Sequence, residues 1–282
     1  REEGLDERFI PVHAAFDEVD KVLEDLAIYH IDAAFMDLGL SSLQIDEEDR
    51  GFSYSHNTAL DMRMDTTQSI TAATILATYD SHKLANIFRE YGQERFSGPI
   101  ARKIVQVREE TPITTSGQLV ELVDNVIPRF HRAPGNPAKR VFQALRIEVN
   151  GELDKLARTL PKLALRLNQG GRIVVESYHS LEDIAVKRFM NNGLEVDVPA
   201  NMPIVPADAQ PFFKALTRGA VKASKEEIAN NTRSSSVRLR AVELIRDIPE
   251  RWIKEFESIS RGIEESSNSS TIRFAHKKGG RF

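Results

Sequence analysis

The chain has 282 residues, of which 41% are hydrophobic and 28% are charged, and its net charge is -4. These values are ordinary for one large globular domain, or for one domain that carries an insertion. The chain contains no cysteine, which excludes disulfides, thiolate zinc sites and cysteine nucleophiles. The negative charge argues against a protein that coats nucleic acid by bulk charge, but it permits local basic patches.

The first elements predict an α/β arrangement. Residues 9–13 (FIPVH) predict a short strand, residues 16–29 an amphipathic helix, and residues 32–38 a buried strand. This β-α-β order predicts a parallel sheet with right-handed crossovers.

The middle of the chain has a different pattern. Four helical patterns, at 70–79, 82–91, 99–109 and 116–126, follow one another with no convincing strand between them. We therefore expect residues 66–136 to form an inserted helical subdomain, with residues 1–65 and 137–246 forming the sheet domain. The alternative is that these helices cover the sheet directly.

The remaining elements complete the predicted sheet. Residues 137–167 predict a long helix that is kinked at Pro161 and ended by a turn at Gln169, Gly170 and Gly171. Residues 172–178 predict a second buried strand and 181–191 a helix. Residues 212–217 and 236–245 predict an antiparallel pair, with a short capped helix beginning near Ser224, and residues 247–282 predict a mobile tail.

Asp37 is the first candidate for chemistry, because it ends a buried strand and a long polar loop follows it. Open α/β sheets build their sites at the carboxyl ends of such strands. Ser41, Ser42 and Gln44 follow closely and favour a site, although Asp37 could instead cap the turn. In the same loop, LDMRMD places Asp61, Arg63 and Asp65 on one face of an extended segment, as a supporting charge network or as substrate contacts.

His179 and Ser180 follow the second buried strand. A Ser-His-acid hydrolase is not favoured, because the G-x-S-x-G elbow is missing and Ser180 is better placed to cap the helix behind it, with Asp183 at the third helical position. The seven histidines are scattered and do not indicate a metal site.

Basic residues form two groups that suit phosphate contacts along an RNA strand. The residues are Lys139, Arg140 and Arg146, then Arg233, Arg238 and Arg240. Each group could equally be a solvated surface. No glycine-rich phosphate loop is present, so the residues indicate an α/β domain with a site near Asp37 and His179 but do not name the reaction.

Four sequence blocks occur in the order of a known family. They are DLGLSSLQID…RGFS…LDMRMD, NPAKRVFQALRIEVNGEL, GGRIVVESYHSLED…VKRF and NTRSSSVRLR. Together they resemble the N4-cytosine methyltransferases of 16S ribosomal RNA, the family called RsmH or MraW. The resemblance covers about residues 9–244.

The resemblance implies a Rossmann-like class I methyltransferase that uses S-adenosyl-L-methionine and no metal. It implies methylation of a cytidine in the decoding region of small-subunit ribosomal RNA, within an assembled or nearly assembled subunit, in the cytoplasm and away from membranes. The matching positions imply cofactor contacts from Phe16, Asp37 and Gln44. Acceptors for the amine protons would come from Asp37, from the segment that holds Ser41 and Ser42, and from His179. A homodimer is left open.

The chain also departs from the family pattern. The family's first strand and its GGGH-like loop would precede Arg1, so we expect the natural start to be lacking. Leu43 stands where the family has Pro, Asn57-Thr58-Ala59 where it has DGP, and Ile184 where it has Arg. Two alternatives therefore stay open. The chain could be a catalytically inactive form that binds RNA or the ribosome, or an amino-methyltransferase that acts on another nucleic acid.

Overall fold

The computed structural model describes residues 8–41, 44, 47–132, 135–196, 198 and 205–262. Within these residues the helices and strands run in the order α1 (Val19–Asp25), β1 (Ile31–Asp37), α2 (Ala72–Thr78), α3 (Ser81–Glu90), α4 (Ser97–Arg108), α5 (Ser116–Val126), α6 (Lys139–Asn150), α7 (Glu152–Arg166), β2 (Leu167–Ser177), α8 (Ser180–Leu194), β3 (Phe213–Ala215), α9 (Lys225–Asn230), β4 (Arg238–Leu244) and α10 (Glu250–Gly262). Short 3-10 turns lie at Phe16–Glu18, Glu48–Arg50, Arg129–His131, Ala207–Ala209 and Thr232–Ser236.

The four strands form one mixed sheet in the order β1-β2-β4-β3. Strands β1 and β2 are parallel, and Asp37 at the end of β1 aligns with Glu176 near the end of β2. Strand β4 runs antiparallel to both β2 and β3. The α/β class predicted from the sequence is therefore confirmed. Because β1 and β2 are parallel, both deliver their last side chains to the same edge of the sheet.

The chain divides into two compact units. Among the described residues, those within 8–38 and 153–262 form the sheet unit, and those within 39–152 form the helical unit. The sheet unit buries Ile173, Val175 and Phe189. Three ion pairs fix α1 and the 3-10 turn before it on α7, namely Asp17–Arg158 at 2.6 Å, Asp20–Lys162 at 2.9 Å and Glu24–Arg166 at 2.5 Å.

The helical unit is wider than the predicted subdomain of residues 66–136. Leu60 and Met62 before it, and Val141 and Phe142 after it, are buried in the same apolar core as helices α2 to α5. Apolar periodicity predicts where helices lie. It does not predict which apolar core the segments before and after them belong to, because that depends on tertiary packing.

Several predicted elements are confirmed. The strand predicted at 32–38 is β1, and the four helical patterns of the middle are α2 to α5. The antiparallel pair is formed by β3 and β4. Ser224 caps α9, since its hydroxyl accepts a hydrogen bond of 3.0 Å from the Glu227 amide.

The strand predicted at 9–13 is wrong, since residues 9–15 are extended or irregular and pair with no strand among the described residues. Phe9, Ile10 and Val12 are exposed. A short run of apolar residues makes a strand possible, but a strand also needs a partner for its backbone groups. The parallel pair therefore comes from β1 and β2 instead of an initial β-α-β unit.

The long kinked helix is also wrong. The helix breaks at Gly151, whose φ is +60°, and Pro161 lies inside α7. The turn predicted at Gln169 to Gly171 belongs to β2, where the pairing with β1 shifts register between Ile31 and Ala33. The first helix therefore ends at a glycine in the left-handed region, before the chain reaches the proline that was predicted to kink it.

The mobile tail predicted from residue 247 is wrong for its first part. Helix α10 buries Trp252 and Phe256 against Phe189 and Phe212 of the sheet unit. Residues 263–282 lie outside the described residues. Among the described residues, no helix is both long and apolar enough to cross a membrane.

Candidate active site

Asp37, Glu176 and Tyr178 meet at the carboxyl ends of the parallel strands. Asp37 is the last residue of β1, and its register partner on β2 is Glu176. The Tyr178 hydroxyl, just beyond β2, donates a hydrogen bond of 2.9 Å to Oδ1 of Asp37. The sheet topology thus places two carboxylates and a phenol within one small, partly exposed cluster, which we call the strand-end cluster.

The strand-end cluster has a negative electrostatic potential. Partial burial, the Asp37 carboxylate and Glu227 raise the pKa of Glu176 above its ordinary value. Partial burial, the hydrogen bond to Asp37 and its charge raise the pKa of Tyr178, so this phenol stays protonated and acts as a donor. Two adjacent carboxylates favour a ligand that carries positive charge or several N–H donors.

His179 acts in the structure as the N-cap of α8. Its Nδ1 accepts a 3.4 Å hydrogen bond from the Glu182 amide, and the Glu182 carboxylate accepts hydrogen bonds from the amides of Tyr178 and His179. Its Nε2 lies 3.2 Å from Oε1 of Glu182. The cap is therefore His179 with Glu182 at the third helical position, so the cap predicted at Ser180 with Asp183 is wrong by one residue.

Ser41 and Gln44 bind each other and belong to the helical unit. The Ser41 amide donates to Oε1 of Gln44 at 3.1 Å, and the Gln44 amide donates to Oγ of Ser41 at 3.2 Å. Such reciprocal bonds fix a turn. Ser42, the other predicted hydroxyl, lies outside the described residues.

Phe16 and Phe35 present aromatic surface on the sheet unit. Phe16 is 40% exposed in the turn before α1, and Phe35 is 64% exposed on β1. Phe35 lies two residues before Asp37, so both side chains point to the same side of β1. Exposed rings of this size on a sheet are available to a ligand or to further packing.

The Asp61, Arg63 and Asp65 block orders the loop from within. Arg63 pairs with Asp61 at 2.7 Å and donates to the carbonyls of Thr66 and Gln68. Arg63 holds the pKa of Asp61 below its ordinary value. Asp65 accepts hydrogen bonds from the amide and hydroxyl of Thr67. The supporting role is therefore the one that the contacts favour.

Two further residues fix this loop and were missed in the sequence. Arg50 donates to the carbonyls of Arg63 and Met64, at 2.7 and 3.2 Å. The buried Asn150 accepts from the Met64 amide at 2.7 Å and donates to the Met62 carbonyl at 2.8 Å. Their targets are backbone groups far along the chain, which no local pattern reveals.

The predicted RNA-binding residues divide into two kinds. Arg146 forms a two-bonded ion pair with Glu152, and Arg238 and Arg240 both pair with the buried Asp183. Lys139 and Arg140 are exposed at the start of α6, and Arg233 is exposed before β4. The contacts of the first kind are sufficient to explain these arginines structurally.

Glu176 and Tyr178 are the members of the strand-end cluster that sequence reasoning did not select. Both stand within RIVVESYHS, at the end of a strand that was recognised. The available signal was their place at a strand end, which is the same signal that selected Asp37.

Comparison with known proteins identifies the family. The family model described as the MraW methylase family matches residues 3–245. A relative from Bifidobacterium animalis subsp. lactis (strain AD011) is 64% identical over 275 residues, which are 98% of this chain and 76% of the relative. A relative from Bifidobacterium adolescentis is 68% identical over 255 residues, or 90% of this chain and 74% of the relative.

A more distant relative from Frankia alni is 52% identical over 246 residues, which are 87% of this chain and 76% of the relative. All three relatives carry the name ribosomal RNA small subunit methyltransferase H. The mixed four-stranded sheet with its helices is consistent with the Rossmann-like methyltransferase fold that the sequence blocks implied. This chain belongs to the MraW methylase family.

Proposed function

We propose that this protein transfers a methyl group from S-adenosyl-L-methionine to N4 of a cytidine in the decoding region of small-subunit ribosomal RNA. The observation that carries the proposal is the strand-end cluster, because it offers Asp37 as an acceptor at the edge where α/β sheets place their ligands. The names of the relatives support the RNA substrate.

The donor set of the strand-end cluster fits the cofactor. S-adenosyl-L-methionine carries an ammonium group and supplies a methyl group on a positively charged sulfonium. Asp37 and Glu176 provide the negative potential that favours such a cation, and the exposed ring of Phe16 provides apolar surface. We assign cofactor contacts to Phe16, Asp37 and Gln44.

Asp37 would also prepare the target amine. The lone pair of a cytosine N4 is delocalised into the ring, so the amine is a poor nucleophile. A carboxylate oxygen that accepts a hydrogen bond from one N4–H group localises this lone pair on N4. The Tyr178 hydroxyl occupies Oδ1 and thereby orients the carboxylate, so that the remaining acceptor positions of Asp37 can serve the base. A paired base would have to be unstacked to reach it.

The other predicted catalytic residues take ordering roles in this proposal. His179 fixes the loop behind β2 through its cap on α8, and Ser41 fixes Gln44 through their reciprocal hydrogen bonds. Among the basic residues, exposed Lys139, Arg140 and Arg233 are assigned to RNA phosphates.

The test replaces Asp37 with an isosteric neutral residue. Asp37→Asn is expected to lower methyl transfer from labelled cofactor to small ribosomal subunits by at least about a hundredfold, a typical value for loss of a positioned proton acceptor. Asp32→Asn, at the exposed start of the same strand, is the control and is expected to keep full activity. Full activity of Asp37→Asn would refute the role of Asp37.

A nucleoside digest of the labelled product separates the substrate alternatives. The proposal requires the label in N4-methylcytidine from ribosomal RNA. Label in another nucleoside would refute the N4 assignment, and label in DNA alone would support an amino-methyltransferase of different specificity. Binding of subunits without any methyl transfer would support the inactive RNA-binding form.

A further inference from the structure

A rigid aromatic surface on the helical unit is surrounded by cations. Phe130 is 83% exposed, the highest exposure among the large hydrophobic residues that the structure describes. It lies on the 3-10 turn Arg129–His131, where its ring centroid is 4.4 Å from that of His131. The His131 ring in turn lies 5.4 Å from the ring of Phe96. Three rings, tilted relative to one another, thus form a short row that ends in solvent at Phe130.

The turn that carries Phe130 is firmly anchored. Arg132 donates hydrogen bonds to the carbonyls of Ile127 and Asp124, at 3.2 and 2.7 Å. Its guanidinium also pairs with the Asp124 carboxylate at 2.7 Å. Because the backbone around Phe130 is fixed in this way, its ring is presented to solvent at little further cost in conformational entropy.

Two other segments bring positive charge to the same surface. The turn at residues 91–96 contacts His131 of the 3-10 turn through the ring of Phe96. It also contacts α6, because Arg140 donates a hydrogen bond to the Gln93 carbonyl and Gln143 donates one to the Tyr91 carbonyl. The exposed cations on the three segments are Arg95, Arg129, Lys139 and Arg140.

Nearby acids do not neutralise these cations. Glu94 is buried, and its carboxylate accepts a hydrogen bond from the Phe96 amide. Glu90 forms an ion pair with Arg89, and Asp124 forms one with Arg132. Within the part of the chain that the structure describes, Arg95, Arg129 and Lys139 form no ion pair. The surface therefore combines one large exposed ring with several uncompensated positive charges.

We infer that Phe130 is a stacking platform for an unpaired base of the RNA, with Arg95, Arg129, Lys139 and Arg140 on the adjoining phosphates. Single-stranded nucleic acids are bound by this combination of aromatic rings and a basic surface. A protein partner would call for a larger apolar patch, whereas here the apolar surface is a single ring among cations. The inference rests on the proposed function for the identity of the RNA.

The test measures binding of a fluorescent single-stranded RNA with the decoding-region sequence, by anisotropy. Phe130→Ala is expected to weaken binding about five- to a hundredfold, the range for loss of one base stack. Phe130→Trp keeps a stacking surface and should bind as the parent does, and Phe130→Leu, which keeps apolar bulk only, should resemble Phe130→Ala. Tyr29→Ala removes a ring that is 64% exposed on the sheet unit and is the matched control.

The cations have a separate signature. Arg129→Gln and Lys139→Gln should each reduce the slope of log affinity against log salt by about one. With small subunits as substrate, Phe130→Ala should raise KM and leave kcat unchanged, because the ring lies outside the strand-end cluster. Since Phe130 is largely exposed, its variants are expected to unfold at the parent's temperature.

The outcomes separate this inference from the proposed function. Unchanged RNA affinity in Phe130→Ala, with methyl transfer intact, would overturn the stacking platform alone. Weakened RNA affinity in a protein that transfers no methyl group would support the platform and count against the proposed reaction. Loss of binding to phosphatidylserine vesicles in Phe130→Ala, with RNA binding unchanged, would overturn the RNA occupant.

Discussion

Tyr178 has a role that depends on one hydroxyl group. That hydroxyl donates a hydrogen bond of 2.9 Å to Oδ1 of Asp37. Tyr178→Phe removes only the hydroxyl and is expected to lower kcat about ten- to a hundredfold, since a hydrogen bond to a charged group contributes about 1.5–3 kcal/mol. KM for the small subunit should not change.

A double-mutant cycle distinguishes orientation of Asp37 from a general structural effect. In an Asp37→Asn background, Tyr178→Phe should lower the residual rate no further, because the residue it orients is already lost. Equal losses in both backgrounds would contradict a role through Asp37. Thermal unfolding of Tyr178→Phe serves as the control for folding.

Glu176 is expected to lower the stability of the native protein at neutral pH. Its pKa is raised by partial burial and by Asp37, so the native state holds its proton more tightly than the unfolded state does. The contribution of Glu176 to stability is therefore full below the unfolded pKa and is lost as pH rises through the folded pKa. Glu176→Gln should raise the unfolding temperature at pH 7, and the difference should shrink as pH falls towards 4.5, the ordinary pKa of the group.

The same substitution should weaken cofactor binding, because it removes half of the negative charge at the strand-end cluster. Calorimetry with S-adenosyl-L-methionine measures this loss, and Glu243→Gln, on β4 of the same sheet, is a suitable charge-matched control. A Glu176→Gln protein that is less stable at pH 7 would show that the hydrogen bonding of this carboxylate outweighs its burial and repulsion.

Only part of the strand-end cluster could be predicted from residues. Asp37 was found because an acid after an apolar run is a local pattern. Glu176 and Tyr178 join it through the register of two strands that are distant in sequence, and this register depends on the whole sheet. The cap of α8 could not be predicted to the residue. His179 caps the helix if it begins at Ser180, and Ser180 would cap it if it began one residue later, and the sequence does not distinguish these two starts.

At the scale of elements, Gly151 decides where one helix ends and the next begins. It is the C-cap of α6 with φ +60°, and a Cβ placed on it would meet no atom within 4 Å. The cost of a side chain there is thus conformational. Gly151→Ala should lower the free energy of unfolding by about 1 kcal/mol, and Gly151→Asn by less, because Asn tolerates the left-handed region better.

Urea unfolding measures both variants. Each is compared with the parent protein. If Gly151→Ala were as stable as the parent, the break between α6 and α7 would not depend on the left-handed residue.

The elements differ in how far local sequence determines them. Helices α2 to α5 were predicted because their apolar spacing lies within each helix. The structure adds that Thr71, Asp80 and Thr115 cap α2, α3 and α5 from the position directly before each helix. The strand predicted at 9–13 was wrong because a strand needs a partner. The prediction of a mobile tail was wrong because the apolar face of α10 is buried only through its contacts with Phe189 and Phe212.

At the scale of the whole molecule, the protein has two apolar cores in two compact units. Trp252 is the only tryptophan of the chain, and it packs in the sheet-unit core against Phe212 and Phe256. Its fluorescence therefore reports on the sheet unit, whereas far-UV circular dichroism also reports on the helical unit.

Matched cavities in the two cores test whether the units unfold separately. Phe256→Ala in the sheet unit and Phe88→Ala in the helical unit each remove a fully buried ring, at a cost of about 3–5 kcal/mol. Because neither core contains a residue of the other, Phe256→Ala should lower the urea midpoint followed by Trp252, and Phe88→Ala should lower only the midpoint followed by circular dichroism. Equal shifts of both signals in both variants would instead show that the two cores unfold as one cooperative system.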